Sequence, residues 1–256
     1  CIKCNQTVKF TDLLNLAKDQ KADALVTGHY VRRVGGKKNA KMFKAKDAKK
    51  DQSYFLFATT REQLDFLRFP IGEYFKSEIR DIAKKLSLVV KDKPDSQDIC
   101  FVTQDSYRSL IEKLKPESFI KGNIINIDGE KIGEHEGIVN YTVGQRKGIG
   151  IGGYSNPLYV IEIDKINNLI VLGEKKYLEK TEIQMKDVNW LADNIDINNS
   201  IRCSARIRST QEETLGTLKV KGNEATYIFD NKIASTSPGQ ACVFYLKDQV
   251  LGGGWI

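Results

Sequence analysis

Residues 201–246 read IRCSARIRSTQEETLGTLKVKGNEATYIFDNKIASTSPGQACVFYL. Four short runs, 201–210, 214–221, 225–229 and 241–246, read as short alternating strands, and Gly, Asn, Asp and Pro stand between them. A period of two is the period of a strand with one buried face. Short strands at this spacing, punctuated by turn residues, predict a small antiparallel barrel. The strand pattern holds from about residue 183 onward.

Upstream the pattern changes twice. Residues 6–21 predict an amphipathic helix with Phe10, Leu13, Leu14 and Ala17 on one face. Residues 24–27 then predict a short buried strand, followed by Gly28-His29-Tyr30. Helices are expected over 62–67 and 76–87, the second with Ile79, Ile82, Ala83 and Leu86 on one side, and a short strand over 88–90. This mixture belongs to part of an α/β domain. Residues 106–115 predict one more helix. Residues 119–175 are rich in Gly and β-branched residues, with turn signals at Asp128-Gly129 and Asn167-Asn168. The expected fold class is therefore α/β + β, in three parts: 1–105, a small central domain over 106–178, and the barrel over 179–256.

Composition narrows the function. With 256 residues and 41% apolar content the chain has the material for a normal core. Forty Lys and Arg against 33 Asp and Glu give a net charge of +7, which suits a polyanionic partner. No run of about 18 apolar residues predicts a membrane span, and no secretory signal is present. Five cysteines, an odd and sparse set, argue against a disulfide scaffold and for a reducing cytoplasm. The chain opens on Cys1 rather than Met, so further sequence is expected upstream.

Chemistry-bearing residues cluster in a few places. Cys1-Ile2-Lys3-Cys4 is a C-x-x-C, open to three readings: half a zinc site, a redox dithiol, or two inert thiols. A structural zinc needs four ligands and there is no second C-x-x-C, so no metal site is assigned. Cys100 follows the polar stretch 95–98, a setting for an accessible thiol, although Ile99 and Phe101 equally suit a core. Nine basic residues between Arg32 and Lys50 are opposed only by Asp47, which fits either a solvated loop or a phosphate contact. The run 141–153 is dense in glycine but is neither G-x-G-x-x-G nor a P-loop. Its glycines allow tight turns or close approach of a ligand.

Several of these segments belong together. They are residues 1–5 with Lys9-Phe10, Thr27-Gly28-His29-Tyr30, Lys50-Asp51-Gln52-Ser53-Tyr54-Phe55, and Phe69-Pro70-Ile71-Gly72 with Lys76. Residues 95–101, Gly133-Glu134-His135-Glu136-Gly137, the run 141–153, Pro238-Gly239-Gln240 and Leu251-Gly252-Gly253-Gly254 complete the set. In this order, across nearly the whole chain, they resemble the tRNA-specific 2-thiouridylases, which thiolate the wobble uridine of certain tRNAs.

The resemblance implies an adenine nucleotide alpha hydrolase-like domain with a pyrophosphate loop that binds ATP with Mg2+ and adenylates the uridine 2-oxygen. It implies Cys100 as the persulfide carrier, Cys4 as the catalytic nucleophile, and a transient Cys4–Cys100 disulfide. Gly28 matches an ATP contact and Cys1 a target-base position more often Asp. His29, Lys50, Asp51, Gln52, Arg208, Ser209 and Gln240 match tRNA contacts, Ser209 standing where Tyr is common. The implied partners are tRNA and a sulfur-relay protein or cysteine desulfurase, with the protein a monomer. The family's Ser-Gly-Gly-x-Asp-Ser loop is not within these 256 residues, so the chain alone is expected to be inactive. Two other classes fit the residues: a non-catalytic RNA-binding protein, and a cytosolic dithiol oxidoreductase that would form a Cys1–Cys4 disulfide instead.

If roughly five residues of the basic run touch phosphates, log K for tRNA falls with log[salt] at a slope on the order of −4. A filter-binding titration across salt checks this, and a flat response excludes the run from RNA binding.

Overall fold

The computed structural model describes residues 1–92, 107–193, 199–234 and 236–256, and for 107–110 and 117 the backbone alone. Two compact units emerge, one drawn from Cys1–Asp95, Glu182–Asp230 and Gly239–Ile256, the other from Ser96–Thr181 and Asn231–Pro238. Fourteen strands are present among the described residues: β1 Leu25–Val26, β2 Val31–Val34, β3 Lys41–Lys44, β4 Leu67–Arg68, β5 Gly122–Asn126, β6 Lys131–His135, β7 Tyr159–Asp164, β8 Leu169–Gly173, β9 Glu179–Trp190, β10 Ile201–Arg206, β11 Thr214–Lys221, β12 Glu224–Ala234, β13 Ala241–Leu246 and β14 Gln249–Trp255.

The expected barrel is present and closed. Its strands run β13-β10-β11-β12-β9-β14, and β14 returns to pair with β13. Two of its strands escape the alternation argument. β14 carries Gly252-Gly253-Gly254, and glycine is depleted in strands because it has no side chain to pack. Here the space is already taken: a Cβ on Gly253 would press on the Phe57 ring and the Cys242 carbonyl. β13 is the other: expected as an alternating run, it is buried at every position from Ala241 to Tyr245. The first expected run stops at Arg206 rather than continuing to 210.

The first ninety residues share the core of the barrel. The opening helix runs through Ile2–Cys4, Asn5–Asp12 and Leu13–Asp19, with π-helical winding in the middle; the Leu13 N–H donates to the Val8 carbonyl five residues back. Phe10 and Leu14 are buried as expected, but the wider winding rotates the later residues and Leu13 lies exposed. Among the described residues β1 pairs in parallel with β4 alone, and Val26 is exposed rather than buried. The helix Arg61–Phe66 is capped by Thr60 and Gln63 in a reciprocal box. The helix Lys76–Lys85 forms, yet Ile82 and Leu86 stay exposed. Residues 88–90 give no strand; a 3-10 turn covers Val89–Asp92 with Val89 almost fully exposed.

The β2–β3 hairpin joins the barrel sheet through β3 and β14, where Phe43 faces Gln249. Phe10, Val31, Met42, Phe57, Leu64, Val243 and Val250 then meet in one cluster. Gly72 must be glycine, since a Cβ there would collide with the Val31 carbonyl. A polar network pins the following loop. Asp51, 2% exposed, accepts from the Ala45 N–H, the Ser53 N–H and hydroxyl, and Arg206 on β10 at 3.2 Å. Arg206 also pairs with Glu213 at 3.2 Å, which pairs with Lys44 on β3 at 2.5 Å.

The second unit holds the helix Tyr107–Leu114 and a four-stranded sheet in the order β6-β5-β8-β7, with β5 and β8 parallel. Both expected turns are there, with Gly129 and Asn168 at positive φ. Ile124, Ile149, Val160, Ile170 and Leu172 form its core. His135 is buried, accepts from the Gly137 N–H at Nδ1, and lies 3.1 Å from the Asn168 carbonyl at Nε2.

Asp51→Asn leaves the Arg206 guanidinium short of its partner in a nearly dry site. The expected loss is about 3–5 kcal/mol of folding stability in urea denaturation. A loss below about 1 kcal/mol would mean the pair behaves as a solvent-exposed one.

Candidate active site and nucleic-acid interface

The helix that opens the chain carries both N-terminal thiols. Cys1 is exposed, Cys4 is half-buried, and among the described residues both are free. Asn5 fixes the helix: it is buried, and its side-chain amide donates to the Phe55 carbonyl at 3.3 Å. Ile2 packs on the shared core, and the Lys3 ammonium sits 5.1 Å from the Trp255 ring centre. Cys100, and with it any Cys4–Cys100 pairing, lies outside the described residues.

The same helix reaches the Gly28-His29 turn beyond β1. Phe10 meets the His29 ring edge-on at 5.7 Å, and the Lys9 ammonium stands 3.5 Å from His29 Nε2. His29 Nδ1 is 3.0 Å from the Thr27 hydroxyl. Burial, reinforced by the Lys9 charge, holds the imidazole down to about 4, so it is neutral at physiological pH. Gly28 has no positive φ, and among the described residues a Cβ there would meet only Ile71 at 4.0 Å. Neither conformation nor packing demands glycine, which leaves room for an outside group to approach the backbone. The turn also follows the carboxyl end of a parallel strand, the usual ligand side of such sheets.

The loop 44–53 has an inward role in this structure. Asp51 is committed to the network described above. Gln52 exchanges hydrogen bonds with Tyr30, its side-chain oxygen accepting the Tyr30 N–H at 2.9 Å and its own N–H donating to the Tyr30 carbonyl. The Lys50 N–H donates to the Asp47 carbonyl. Within the basic run, Arg32 pairs with Asp248, Arg33 with Asp65, Lys44 with Glu213 and Lys46 with Glu78. Lys37, Lys38 and Lys49 are exposed.

Arg208, Ser209 and Gln240 come together. They line a cavity of about 370 Å³ with Ile2, Tyr54 and Trp255. The thiol-bearing helix thus borders the same space as three expected RNA contacts. Tyr54 shapes its floor: its hydroxyl donates to the Ala241 carbonyl at 2.9 Å and lies 3.3 Å from that of Ile207, and burial pushes its pKa up to about 12. The Gln240 side-chain oxygen is buried and accepts no hydrogen bond among the described residues. Sequence reasoning assigned no role to Asn5, Lys9, Thr27 or Trp255. All four lie in or beside quoted segments, Trp255 directly after Leu251-Gly252-Gly253-Gly254.

In the second unit the run 141–153 forms a turn held by Gln145, whose side chain accepts the Thr142 N–H and donates to the Lys147 carbonyl. Gly144, Gly148, Gly150 and Gly153 occupy positive φ, and Arg146 and Lys147 are exposed. No helix among the described residues is long and apolar enough to cross a membrane.

Comparison with known proteins covers the whole chain. Residues 1–104 match the tRNA methyl transferase HUP domain family, 108–174 the tRNA methyl transferase PRC-barrel domain family, and 180–256 the aminomethyltransferase beta-barrel domain family. Proteins of Rickettsia massiliae (strain Mtu5), Rickettsia typhi (strain ATCC VR-144 / Wilmington) and Rickettsia canadensis (strain McKiel) are each 48% identical over 257 residues. All of this chain aligns, with 70%, 72% and 70% of theirs. Each is named tRNA-specific 2-thiouridylase MnmA.

The buried His29 makes a pH signature. Its folded pKa is depressed to about 4 from 6.5, so the unfolded chain binds the extra proton between those values. The stability it contributes is complete above pH 6.5 and is lost as pH falls toward 4, on the order of 3 kcal/mol across the window. Urea midpoints at several pH values should show a steeper acid decline for wild type than for His29→Gln. Identical profiles would contradict a neutral buried imidazole.

Proposed function

This chain belongs to the family of the tRNA-specific 2-thiouridylases, and on that premise we propose that it carries the sulfur-transfer half of a tRNA-uridine 2-sulfurtransferase. The supporting observation is the shared cavity, where the Cys1–Cys4 helix borders Arg208, Ser209 and Gln240. In this reading residues 1–105 hold the catalytic part, 106–178 the central tRNA-binding domain and 179–256 the barrel. The protein works in the cytoplasm as a monomer.

ATP, when bound, supplies adenylation of the uridine 2-oxygen, turning it into a leaving group. The open backbone at Gly28 fits that group. Cys100 carries the sulfur as a persulfide, charged by a cysteine desulfurase or a sulfur-relay protein. Its outer sulfur bonds to C2 of the activated uridine as the oxygen departs. The Cys4 thiolate then attacks Cys100 Sγ, the Cys100 S–S bond breaks, and sulfur stays on the base. The sulfane sulfur is reduced and the two thiols are oxidised to a Cys4–Cys100 disulfide, which an external thiol reductant must reopen. Cys1 lies beside the target base. His29 meets the RNA as an uncharged group, while Lys50, Asp51 and Gln52 belong to the neighbouring tRNA-binding segment, the last two shaping it through their inward bonds.

The test incubates tRNA, ATP and a persulfide donor with the 256-residue chain and with a version extended N-terminally to the length of its relatives. Thiolated tRNA is then read by its retardation in a mercury-containing gel. Retardation with the extended protein, lost in Cys100→Ser and Cys4→Ser, is the expected result. Retardation that survives Cys100→Ser removes the persulfide role. Binding of tRNA with no retardation by any form leaves a non-catalytic RNA-binding protein.

A further inference from the structure

We propose that a groove at one end of the barrel extends the nucleic-acid surface beyond Trp255 and receives phosphates of the bound RNA, an inference that rests on the tRNA reading above. The groove has a volume of about 630 Å³ and lies between β9, the β11–β12 hairpin and the end of β14. Lys186, Lys219 and Lys221 line it, all exposed. None of the three makes an ion pair or a side-chain hydrogen bond among the described residues.

Strand geometry aligns these charges. Gly216 and Leu218 on β11 are buried in the barrel, so Lys219 and Lys221 belong to the outward face. Two positions along a strand separate them by about 6.8 Å. Lys186 on β9 stands opposite Trp255 in register. The groove also holds two side-chain carboxylates, and Ile256, the last residue of these 256, lines it as well. Asp187 accepts from the Asn223 side chain at 3.2 Å, and Glu224 faces Lys221 across the hairpin. Asp187 is already bonded to Asn223, so the three ammonium groups outnumber the side-chain carboxylates left free.

Continuity identifies the occupant. Trp255 lines this groove and also the cavity of Arg208, Ser209 and Gln240. A strand of RNA leaving that cavity meets the three lysines next. A groove tracked by lysines beside an aromatic is the surface that suits a nucleic-acid backbone.

The experiment measures tRNA affinity of the 256-residue chain against salt. Its variants are Lys219→Gln/Lys221→Gln, a charge-matched control Lys84→Gln/Lys85→Gln, and Glu224→Gln. Losing two phosphate contacts should shrink the slope of log K against log[salt] by about 1.4–1.8 relative to the control. Glu224→Gln should bind about two- to fivefold more tightly, a gain that misfolding cannot mimic. Slopes equal in the two double variants, with no gain from Glu224→Gln, overturn the groove while leaving tRNA binding intact. No tRNA binding by wild type overturns the parent reading and the groove together.

Discussion

A carboxylate with almost no access to water can stay charged only if donors surround it. Asp51 is such a group, and its donors come from three places in the sequence: Ala45, Ser53 and Arg206. The last of these is 155 residues away on the barrel. Arg206 passes the tie to Glu213, and Glu213 to Lys44 on the β2–β3 hairpin. The lysine and the arginine both also lie against the Tyr245 ring. One chain of alternating charges therefore sets hairpin, loop and barrel in a single register. The cavity lined by Tyr54, Arg208 and Gln240 exists because that register is kept.

Around this frame, polar and apolar forces divide the labour. The thiol-bearing helix is held by Asn5, Phe10 and Leu14, and leaves Cys1 in solvent. The Gly28-His29 turn is kept uncharged by burial, while the cations gather on the hairpin and at the barrel end. A polyanion thus meets positive charge at the periphery and again near the thiols, at Lys3 and Arg208, beside a neutral imidazole. Such an arrangement steers by long-range attraction and selects by close contact.

The sequence disclosed the barrel because strands such as β11 obey a period of two over a buried face, with Gly216 and Leu218 turned inward. It hid β14, where glycine replaces the side chains that would have shown the period and Phe57 fills the space instead. The opening helix was legible, but its face was misjudged at Leu13, since π-winding leaves no local mark. The strand expected at 88–90 failed because β-branched residues favour strands only where a partner strand exists. As for the site, motif order led to Gly28, His29, Arg208, Ser209 and Gln240. What no motif could convey is that Asp51 and Gln52 are spent on internal bonds, or that Trp255 separates two cavities. Those facts depend on contacts between separate stretches of chain, 22 positions apart for Gln52 and Tyr30 and 155 for Asp51 and Arg206.

The shared core carries a consequence for how the molecule is made. Phe10 and Val250 belong to one cluster, although 240 positions lie between them (250 minus 10). A ribosome emits the thiol-bearing helix long before it emits the strand that completes its hydrophobic seat. Until β14 appears, the barrel is an open sheet with unpaired edges on β13 and β9, and Phe10, Val31 and Met42 lack part of their cover. Synthesis therefore holds this chain in an aggregation-prone, thiol-exposed state for most of its length. Folding and maturation of the sulfur site become a single late event.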